Sequence, residues 1–417
     1  MQNSQADKKP LRVGYTTPGW PMSRFPNGIV TYVNNIVAGF DRSVKPIVLA
    51  APLIGDEVSD QFVDLSKLNA RKNWPQQLTD KILAKLNNQY TQPMQYQSEI
   101  RMHAKKIALA TQQLPHPLDI LEMEESFGTA SFLFNTIKVP IVTRIHGPWF
   151  TMKTIMQADA NWDYQFKVHY EGESIKRAHG LSSPSLDVLN KVREYYQIDL
   201  PHARVIANPV QMVSPDKQWQ YAANTNPTVL FVGRFDSHKG GDLMLNAFRI
   251  MASKHKQIEL IFVGPDKEVV IEGVRYNIER FVQRFMPDQS INKRVQFLGH
   301  CDQSRIAVLR KQAHVTVVCS RYENFPLSLL EALATGSPVV ATAVGGIKEI
   351  IVDNYNGFFA EPDSAESIAE KTLALINDVE KMQIFSKNAI QDTQKRFSPS
   401  IIAAQTADYY RSVLAQQ

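Results

Sequence analysis

Cysteine is scarce in this sequence, and no metal-binding pattern replaces it. The 417 residues include two cysteines, Cys301 and Cys319, whose spacing forms neither a CxxC motif nor a zinc site. A disulfide framework is therefore excluded, and we expect two thiols in a reducing compartment. The ten histidines form no HExxH or similar motif, and no DxD pair is present to hold a metal–nucleotide complex. The sequence predicts no metal site.

Long apolar runs and a strong charge of one sign are also missing. No stretch approaches 18 uninterrupted apolar residues, and the polar residues 1–10 lack the apolar core of a signal peptide. We expect a cytoplasmic protein, free or peripheral at the inner face of the membrane, with residues 1–10 disordered. The formal charge of +5, from 46 basic and 41 acidic residues, is too small to indicate a nucleic-acid partner.

Length and a strand–helix rhythm predict two α/β domains. At about 150 residues per domain, the chain suffices for two or three. Apolar runs alternate with amphipathic stretches, and the alternation restarts after a polar, aperiodic linker at 211–227. We predict strands at 11–16, 46–51, 118–123, 139–145, 180–183, 205–207, 228–232, 258–263, 295–298, 315–319 and 338–342. We predict helices at 29–40, 128–136, 184–196, 240–254, 325–334, 365–377 and 399–415.

Residues 65–118 depart from this rhythm. They carry eight Lys or Arg residues but two acids, Asp80 and Glu99. We predict helices with loops around Pro75 and Pro93. Two interpretations stand: a solvated helical excursion, or a surface that faces an anionic acceptor or membrane lipid.

Two cations follow the strand predicted at 228–232. Ligands of doubly wound sheets bind at the carboxyl ends of strands, so residues after each strand are candidates. In FVGRFDSHKGGDLMLNAF (231–248), Arg234 and Lys239 lie between that strand, which ends at Gly233, and a helix. Arginine, lysine and a helix N-terminus all attract phosphate, so the segment predicts a phosphate or diphosphate site. It is neither a Walker A loop nor GxGxxG, and two surface cations are the alternative.

Two carboxylates occur in RYENFPLSLLEALATGSPVVATAVGGIKEII (321–351). Glu323 precedes the helix predicted to begin near Pro326, and Glu331 lies more than a turn along it. Carboxylates accept hydrogen bonds from sugar hydroxyls, so the pair can hold two polyols, while the first-turn N–H groups can take a phosphate. For Glu331 alone, a salt-bridged helix residue is the simpler interpretation. His146, at a strand end, is either a structural histidine or a polar group at a cleft between the halves.

These segments resemble the retaining, family 4-type glycosyltransferases of the GT-B fold. VGRFDSHKGG matches the family's vGRl…KG loop, and ENFPLSLLEALATGSPVVAT matches its Glu-x7-Glu element. Residues 26–29, 144–148 and 208–209 also match family positions, in the expected order. Two departures occur: Asn27 stands where paired glycines are frequent, and Pro326 stands where glycine is frequent.

The resemblance implies a division of the chain into two facing Rossmann-like domains with an inter-domain cleft. The N-terminal, acceptor-binding domain would span 11–215, and the C-terminal domain, which binds the nucleotide-sugar donor, would span 216–395. A C-terminal helix at 396–417 would cross back onto the N-terminal domain.

The resemblance also implies roles for single residues. Arg234 and Lys239 would neutralise the donor diphosphate, Glu323 would hold the donor sugar, and His146 would contact the transferred sugar. Glu331 would bind the ribose. The other candidate donor-binding residues are Gly28, Asn208, Gly233, Gly264, Asn324, Phe325, Pro326 and Leu327. Asn27 and Glu124 are the candidates on the acceptor side.

The implied activity is metal-independent, retaining transfer of a hexose from a nucleoside diphosphate sugar to a hydroxyl. The nucleotide sugar is a co-substrate rather than a cofactor, and UDP-sugars are the commonest donors in the family. The acceptor would be a saccharide or a lipid-linked sugar, in polysaccharide or glycoconjugate biosynthesis. The alternatives are a sugar-nucleotide epimerase, a phosphorylase on a similar fold, or a non-catalytic nucleotide-sugar-binding protein.

Overall fold

The computed structural model describes residues 9–54, 61–70, 78, 82–83, 85–86, 91–151, 162–223 and 225–417. The chain forms two compact units. Unit 1 comprises Met1–Pro209 with Pro399–Gln417, and unit 2 comprises Val210–Ser398. The prediction of disorder at 1–10 falls almost wholly outside the described residues, as do parts of the predicted helical region 65–118. Among the described residues, no helix is both long and apolar enough to cross a bilayer.

Unit 1 is built on a parallel sheet. Its strands are β1 (Leu11–Thr17), β2 (Val44–Ala50), β3 (Phe62–Asp64), β4 (Ile120–Glu124), β5 (Ile141–Arg144), β6 (Gly180–Ser183) and β7 (Arg204–Val205). Their order is β3-β2-β1-β4-β5-β6-β7. The chain winds outward in both directions from β1 and β4, so the carboxyl ends of these two strands form a topological switch point, where ligands bind in such sheets.

Helices pack around this sheet: α1 (Gly28–Gly39), α2 (Gln92–Gln113), α3 (Trp162–Arg177) and α4 (Leu186–Tyr196). The helix predicted at 128–136 is present only in part, as a 3-10 helix. This 3-10 helix spans Ser126–Phe132 and is interrupted by left-handed backbone at Phe127 (φ 62°) and Gly128 (φ 67°). A continuous α-helix cannot include this conformation.

Unit 2 repeats the design with a second parallel sheet. Its strands are β8 (Thr228–Val232), β9 (Glu259–Val263), β10 (Val269–Ile271), β11 (Val274–Tyr276), β12 (Val295–Gly299), β13 (Val315–Val318), β14 (Val339–Thr342) and β15 (Phe358–Ala360). The sheet order is β12-β9-β8-β13-β14-β15, and β10 and β11 form a separate antiparallel hairpin. The switch point of unit 2 therefore lies between β8 and β13.

The remaining helices are α5 (Gly241–Lys254), α6 (Ile278–Phe285), α7 (Gln289–Asn292), α8 (Gln303–Gln312), α9 (Leu327–Thr335), α10 (Ile347–Ile350), α11 (Ala365–Ile376), α12 (Val379–Phe397) and α13 (Pro399–Leu414). Helix α13 returns to unit 1, where Ile402, Ala403 and Tyr410 are buried in the same apolar cluster as Val30 and Ile36 of α1. The predicted fold class, two Rossmann-like α/β halves with a returning C-terminal helix, is confirmed.

The observed division differs by a few residues from the predicted limits at 215/216 and 395/396. Unit 2 begins at Val210, whose N–H donates to the Phe397 carbonyl at 2.9 Å. The buried Trp219 indole belongs to the core of unit 2, and its Nε1–H donates to the Ala313 carbonyl at 2.7 Å. The first part of the predicted linker is thus tied to unit 2.

Candidate functional site

Two loops meet at the switch point of unit 2, one following β8 and one following β13. The Arg321 N–H donates to the His238 carbonyl at 2.9 Å, and Arg321 Nη1 donates to the Ser237 carbonyl at 2.6 Å. The His238 imidazole Nε2 lies 2.7 Å from the Tyr322 carbonyl. These contacts hold the predicted cation loop against the predicted carboxylate loop.

Lys239 and Glu323 form an ion pair between these loops. Lys239 Nζ donates to Glu323 Oε1 at 2.5 Å, and the Ser320 hydroxyl donates to the same oxygen at 2.7 Å. Burial alone would raise the pKa of Glu323, but the charges of Lys239 and His238 and the two hydrogen bonds outweigh it and lower the pKa. Glu323 is therefore an ionised carboxylate, while Lys239 keeps 26% of its side chain exposed to a ligand.

Arg234 lies beside this pair and is held by Asp236. Arg234 Nε donates to Asp236 Oδ2 at 2.6 Å, and the Lys239 backbone N–H donates to Asp236 Oδ1 at 2.7 Å. Asp236 thus holds the side chain of Arg234 and the backbone of Lys239. Sequence reasoning missed Asp236, although an aspartate that precedes a tight turn is a recognisable signal for such side chain-to-backbone bonds.

Two glycines allow close packing here: Gly240, at the end of the loop after β8, and Gly345, in the loop after β14. Gly240 has φ 70°, and a Cβ there would lie 2.0 Å from the Cys319 carbonyl oxygen. Gly345 has φ 47°, and its Cβ would lie 2.1 Å from the carbonyl oxygen of Glu323. Any side chain at either position would push the loops apart.

The predicted donor-binding glycines Gly233 and Gly264 pack together where β8 and β9 end. The Gly233 N–H donates to the Val263 carbonyl at 2.9 Å. A Cβ on Gly264 would lie 2.0 Å from the Gly233 carbonyl oxygen. Both glycines therefore have a packing role beside the cation loop.

Helix α9 begins directly after the carboxylate loop and has no side-chain cap. Pro326 is the N-cap residue and makes no side-chain cap hydrogen bond. Asn324 is half-buried, and the buried Phe325 ring packs edge-on against Phe397 at 5.7 Å between ring centroids. The Leu329 N–H already donates to the Pro326 carbonyl at 3.2 Å, so an anion at this helix start would be bound by the N–H groups that precede it, which a helix leaves without an intrahelical partner.

Glu331, on the same helix, forms the salt bridge that its sequence position suggested. Its Oε2 lies 2.7 Å from Nη1 of Arg310, whose side chain is buried. The Glu331 side chain is 21% exposed. A ligand hydroxyl can therefore reach a carboxylate whose orientation Arg310 has set.

Arg321, another cation after a strand, has a structural role. It binds Asp242 bidentately at 2.9 and 2.7 Å and Asp363 at 2.6 Å. Burial would lower the pKa of Arg321, but the hydrogen bonds and charges of these aspartates raise it. Its guanidinium is thus committed to partners within the protein.

His146 lies at the carboxyl end of β5, the strand next to the switch point of unit 1, and Ile145 separates it from that strand. Its imidazole lies edge-on to the Tyr32 ring, with 5.0 Å between ring centroids. Burial, and then the charge of Arg144, lower the pKa of His146 to about 3. The imidazole is neutral at physiological pH, so it can exchange hydrogen bonds with a ligand but adds no charge.

A buried network supports Tyr32 and His146 from below. The Arg144 guanidinium lies over the Tyr32 ring, 4.7 Å from its centroid, and donates to Asn208 Oδ1 at 2.8 Å. The hydroxyls of Tyr32 and Tyr410 donate to the two oxygens of Glu122 at 2.8 and 2.7 Å. Tyr410 of helix α13 thus belongs to the network beneath Tyr32 and His146. The Asn208 side chain, predicted to bind the donor, is hydrogen-bonded to Arg144 within unit 1.

The predicted acceptor-side residues lie around the start of α1 and the end of β4. Asn27 Oδ1 accepts the Val30 N–H at 3.0 Å, so Asn27 caps α1. Glu124 Oε2 accepts a hydrogen bond from the Thr16 hydroxyl at 2.6 Å. A Cβ on Gly28 would meet no atom of the described residues within 4 Å, so none of these residues requires glycine there. Unoccupied space beside a helix start is compatible with close approach of a ligand.

The chain has two Rossmann-like units, each with a parallel sheet, and the cation and carboxylate loops lie at the switch point of unit 2. These features define the GT-B class. Solved structures share this fold. Sucrose-phosphate synthase from Thermosynechococcus elongatus has a TM-score of 0.69 at 16% identity over 98% of this chain and 100% of that one. Anabaena HepE, solved in complex with UDP, has a TM-score of 0.64 at 17% identity over 96% and 100%.

Residues 214–392, almost all of unit 2, match the family model for glycosyl transferases group 1. This match over unit 2 confirms the resemblance inferred from the motifs. An uncharacterized glycosyltransferase of Methanocaldococcus jannaschii is 30% identical over 183 residues, 44% of each chain. The alignment thus spans less than half of that relative. Glycogen synthase of Mycobacterium tuberculosis is 26% identical over 307 residues, 71% of this chain and 67% of that one.

Proposed function

We propose that the protein is a retaining hexosyltransferase that moves a sugar from a nucleoside diphosphate sugar to a hydroxyl acceptor without a metal ion. The observation that carries the proposal is the Lys239–Glu323 pair, 2.5 Å apart, beside Arg234 and the uncapped start of α9. Two cations and helix N–H groups suit a diphosphate, and a buried, ionised carboxylate suits sugar hydroxyls.

The donor in this proposal is a UDP-sugar. HepE, which shares the fold, has been solved with UDP and with UDP-glucose. Glu331, oriented by Arg310, would accept hydrogen bonds from the ribose hydroxyls. Asn324, Phe325, Pro326 and Leu327 would line the donor pocket with their backbone. Gly28, which none of the described residues requires to be glycine, would leave room for a phosphate or the acceptor.

The proposed reaction breaks the bond between the anomeric carbon and the diphosphate oxygen, and the acceptor oxygen attacks from the same face. Negative charge grows on the leaving diphosphate, where Lys239 and Arg234 stabilise it, so that these side chains supply the positive charge that a metal would otherwise provide. The acceptor proton passes to the leaving phosphate oxygen, and no protein base is assigned. The neutral His146 would hydrogen-bond to the transferred sugar.

The acceptor is proposed to be a saccharide or a lipid-linked sugar, bound by unit 1 near Asn27 and Glu124, in polysaccharide or glycoconjugate biosynthesis. We also propose peripheral contact with an anionic membrane through 65–118. The helical residues Leu78, Ile82 and Leu86, spaced four apart, are 45%, 49% and 57% exposed. Exposed apolar residues in a basic segment suit an anionic lipid surface. Binding to phosphatidylglycerol vesicles, but not to phosphatidylcholine vesicles, would support this, and equal binding to both would contradict it.

The test of the function is turnover with UDP-, GDP- and ADP-sugars, each with and without saccharide acceptors and EDTA. A retaining transferase releases nucleoside diphosphate, needs an acceptor for fast turnover, and forms a product whose anomeric configuration equals that of the donor. EDTA should leave the rate unchanged. Release of a free epimeric sugar without acceptor would indicate an epimerase, a need for inorganic phosphate would indicate a phosphorylase, and binding without turnover would indicate a non-catalytic protein.

A further inference from the structure

Two buried glutamates of unit 1 hold the loop that carries His146. Glu125, directly after β4, accepts the His146 N–H on both carboxylate oxygens, at 3.0 and 2.9 Å, and the Gly147 N–H at 2.6 Å. Glu171, on α3, accepts the Trp149 N–H at 2.9 Å. Both glutamates are 0% exposed. Three backbone amides of one short loop therefore end on fully buried carboxylates.

Glu125 is adjacent to Glu124, the residue predicted from the sequence for the acceptor side. In the structure Glu124 contacts Thr16, whereas Glu125 turns into unit 1 and reaches the loop after the neighbouring strand β5. The signal that separates the two residues is their alternation along the strand, since successive side chains point to opposite faces.

Protonation would change what Glu125 can do for this loop. An ionised carboxylate only accepts hydrogen bonds, which suits the N–H donors of His146 and Gly147. A protonated carboxyl carries one O–H donor, which would face those N–H groups and release at least one of them. The position of the His146 backbone thus depends on the charge of Glu125.

The charge of Glu125 depends on its burial, on the backbone amides that it accepts and on neighbouring ionisable groups. Burial is the main cause that raises the pKa of Glu125 to about 7, against the opposing effect of the Gly147 and His146 amides. Burial, and then the charge of Glu125, raise the pKa of Glu171 as well. Among the described residues, the other ionisable groups that face the two glutamates are Glu124 on β4, Tyr96 on α2, Lys167 and Tyr164 on α3, and Tyr196 on α4.

We propose that Glu125 is a positioning residue for sugar transfer: its ionised carboxylate fixes the His146–Gly147 backbone, and Glu171 fixes the far end of the loop at Trp149. The proposal rests on the proposed function, which gives His146 a contact with the transferred sugar. His146 itself does not titrate near neutrality, since burial and Arg144 lower its pKa to about 3. A pH dependence of the loop near neutrality therefore comes through Glu125.

The kinetic test compares the wild type with Glu125→Gln, using the donor that turns over and following release of its nucleoside diphosphate. The wild-type kcat should rise with pH to a plateau, with a midpoint near the Glu125 pKa of about 7. Glu125→Gln should lower kcat on the plateau at least about tenfold and remove this step, with an unchanged Kd for UDP in unit 2. Glu173→Gln, two residues from Glu171 on the same helix, is the matched control with wild-type behaviour. A wild-type kcat and pH profile in Glu125→Gln would overturn the proposal.

A second measurement is made on the wild-type protein, so it does not depend on the folding or the activity of Glu125→Gln. In wild-type protein labelled with ¹⁵N-histidine, the His146 backbone amide should shift with a midpoint near the Glu125 pKa of about 7, while its imidazole signals stay constant. The His146→Gln variant assigns the signal. An amide that does not titrate between pH values well below and above this midpoint would overturn the proposal. If no donor turns over, the proposed function fails, and the amide titration still decides whether Glu125 controls the loop.

Discussion

Replacing Lys239 by methionine removes the charge that balances Glu323 but keeps a side chain of similar length. The pair is 2.5 Å apart, and Glu323 is nearly buried with 8% of its side chain exposed, whereas Lys239 is 26% exposed. Without Lys239 the burial of Glu323 is uncompensated. Loss of one partner of a buried ion pair costs about 3–5 kcal/mol, so we expect the variant to lose most of this amount at neutral pH.

The opposite replacement, Glu323→Gln, should cost less. The remaining Lys239 ammonium can turn towards solvent, and the glutamine oxygen can still accept the Ser320 hydroxyl, so about 1 kcal/mol is expected. The double variant Lys239→Met/Glu323→Gln should be more stable than Lys239→Met alone, because no buried charge is left. All three variants should lose at least about 100-fold in sugar transfer, on the scale of one lost transition-state charge partner.

The difference in stability between Lys239→Met and the wild type should also depend on pH. In the wild type, the lowered pKa of Glu323 contributes stability that is present above the unfolded carboxyl pKa and is lost as the pH falls through the folded value. In Lys239→Met, burial dominates and raises the pKa, so the deficit relative to the wild type should shrink as the pH falls. Scanning calorimetry across pH measures both effects. Equal melting temperatures for Lys239→Met and the wild type at neutral pH would refute the reasoning.

Three further predictions follow from single positions. Gly28→Ala should fold with unchanged or higher stability, since no atom of the part of the chain that the structure describes lies within 4 Å of the new Cβ. It should lower kcat/KM if a ligand approaches there, and melting and kinetics of the same preparation decide. Gly240→Ala should destabilise unit 2 in calorimetry, because its Cβ would lie 2.0 Å from the Cys319 carbonyl oxygen at φ 70°, and a wild-type melt would contradict this. The raised pKa of Glu125, about 7, means that native unit 1 binds more protons than the unfolded chain between the ordinary carboxyl value and 7. Its free energy of unfolding should therefore fall with rising pH in this range, with Glu125 contributing on the order of 3 kcal/mol. Because the pKa of Glu171 is raised as well, Glu125→Gln should remove the Glu125 part of this slope and leave the part that Glu171 contributes.

Much of the fold could be predicted from the sequence, because buried parallel strands consist of short runs of apolar residues. The strand predicted at 228–232 is observed at Thr228–Val232, and that at 180–183 at Gly180–Ser183. The prediction omitted β3, β15 and the β10–β11 hairpin, whose strands have three residues each. Three residues are too few to show a period, and their strand character depends on neighbours that are distant in sequence.

The candidate site was partly accessible for the same reason. Arg234, Lys239 and Glu323 each follow an apolar run, and topology alone brings the ends of β8 and β13 together. Long-range partners were not accessible: Arg310 beside Glu331, or Glu125 beneath His146, is defined by packing and not by local spacing. Asn27 shows the reverse case, since a residue chosen for binding also serves as a helix cap, a role that its place before α1 could have indicated.

The most direct test of the central claim, a nucleoside diphosphate site at the Lys239–Glu323 pair, is titration calorimetry with UDP, GDP and ADP. The wild type should bind one of these nucleotides, UDP on the present proposal, and Lys239→Met should weaken that binding at least about tenfold, or about 1.4 kcal/mol. Lys254→Met, an exposed lysine of the same unit at the end of α5, should bind like the wild type. Unchanged affinity in Lys239→Met, or binding of none of the three nucleotides, would contradict the assignment of this site.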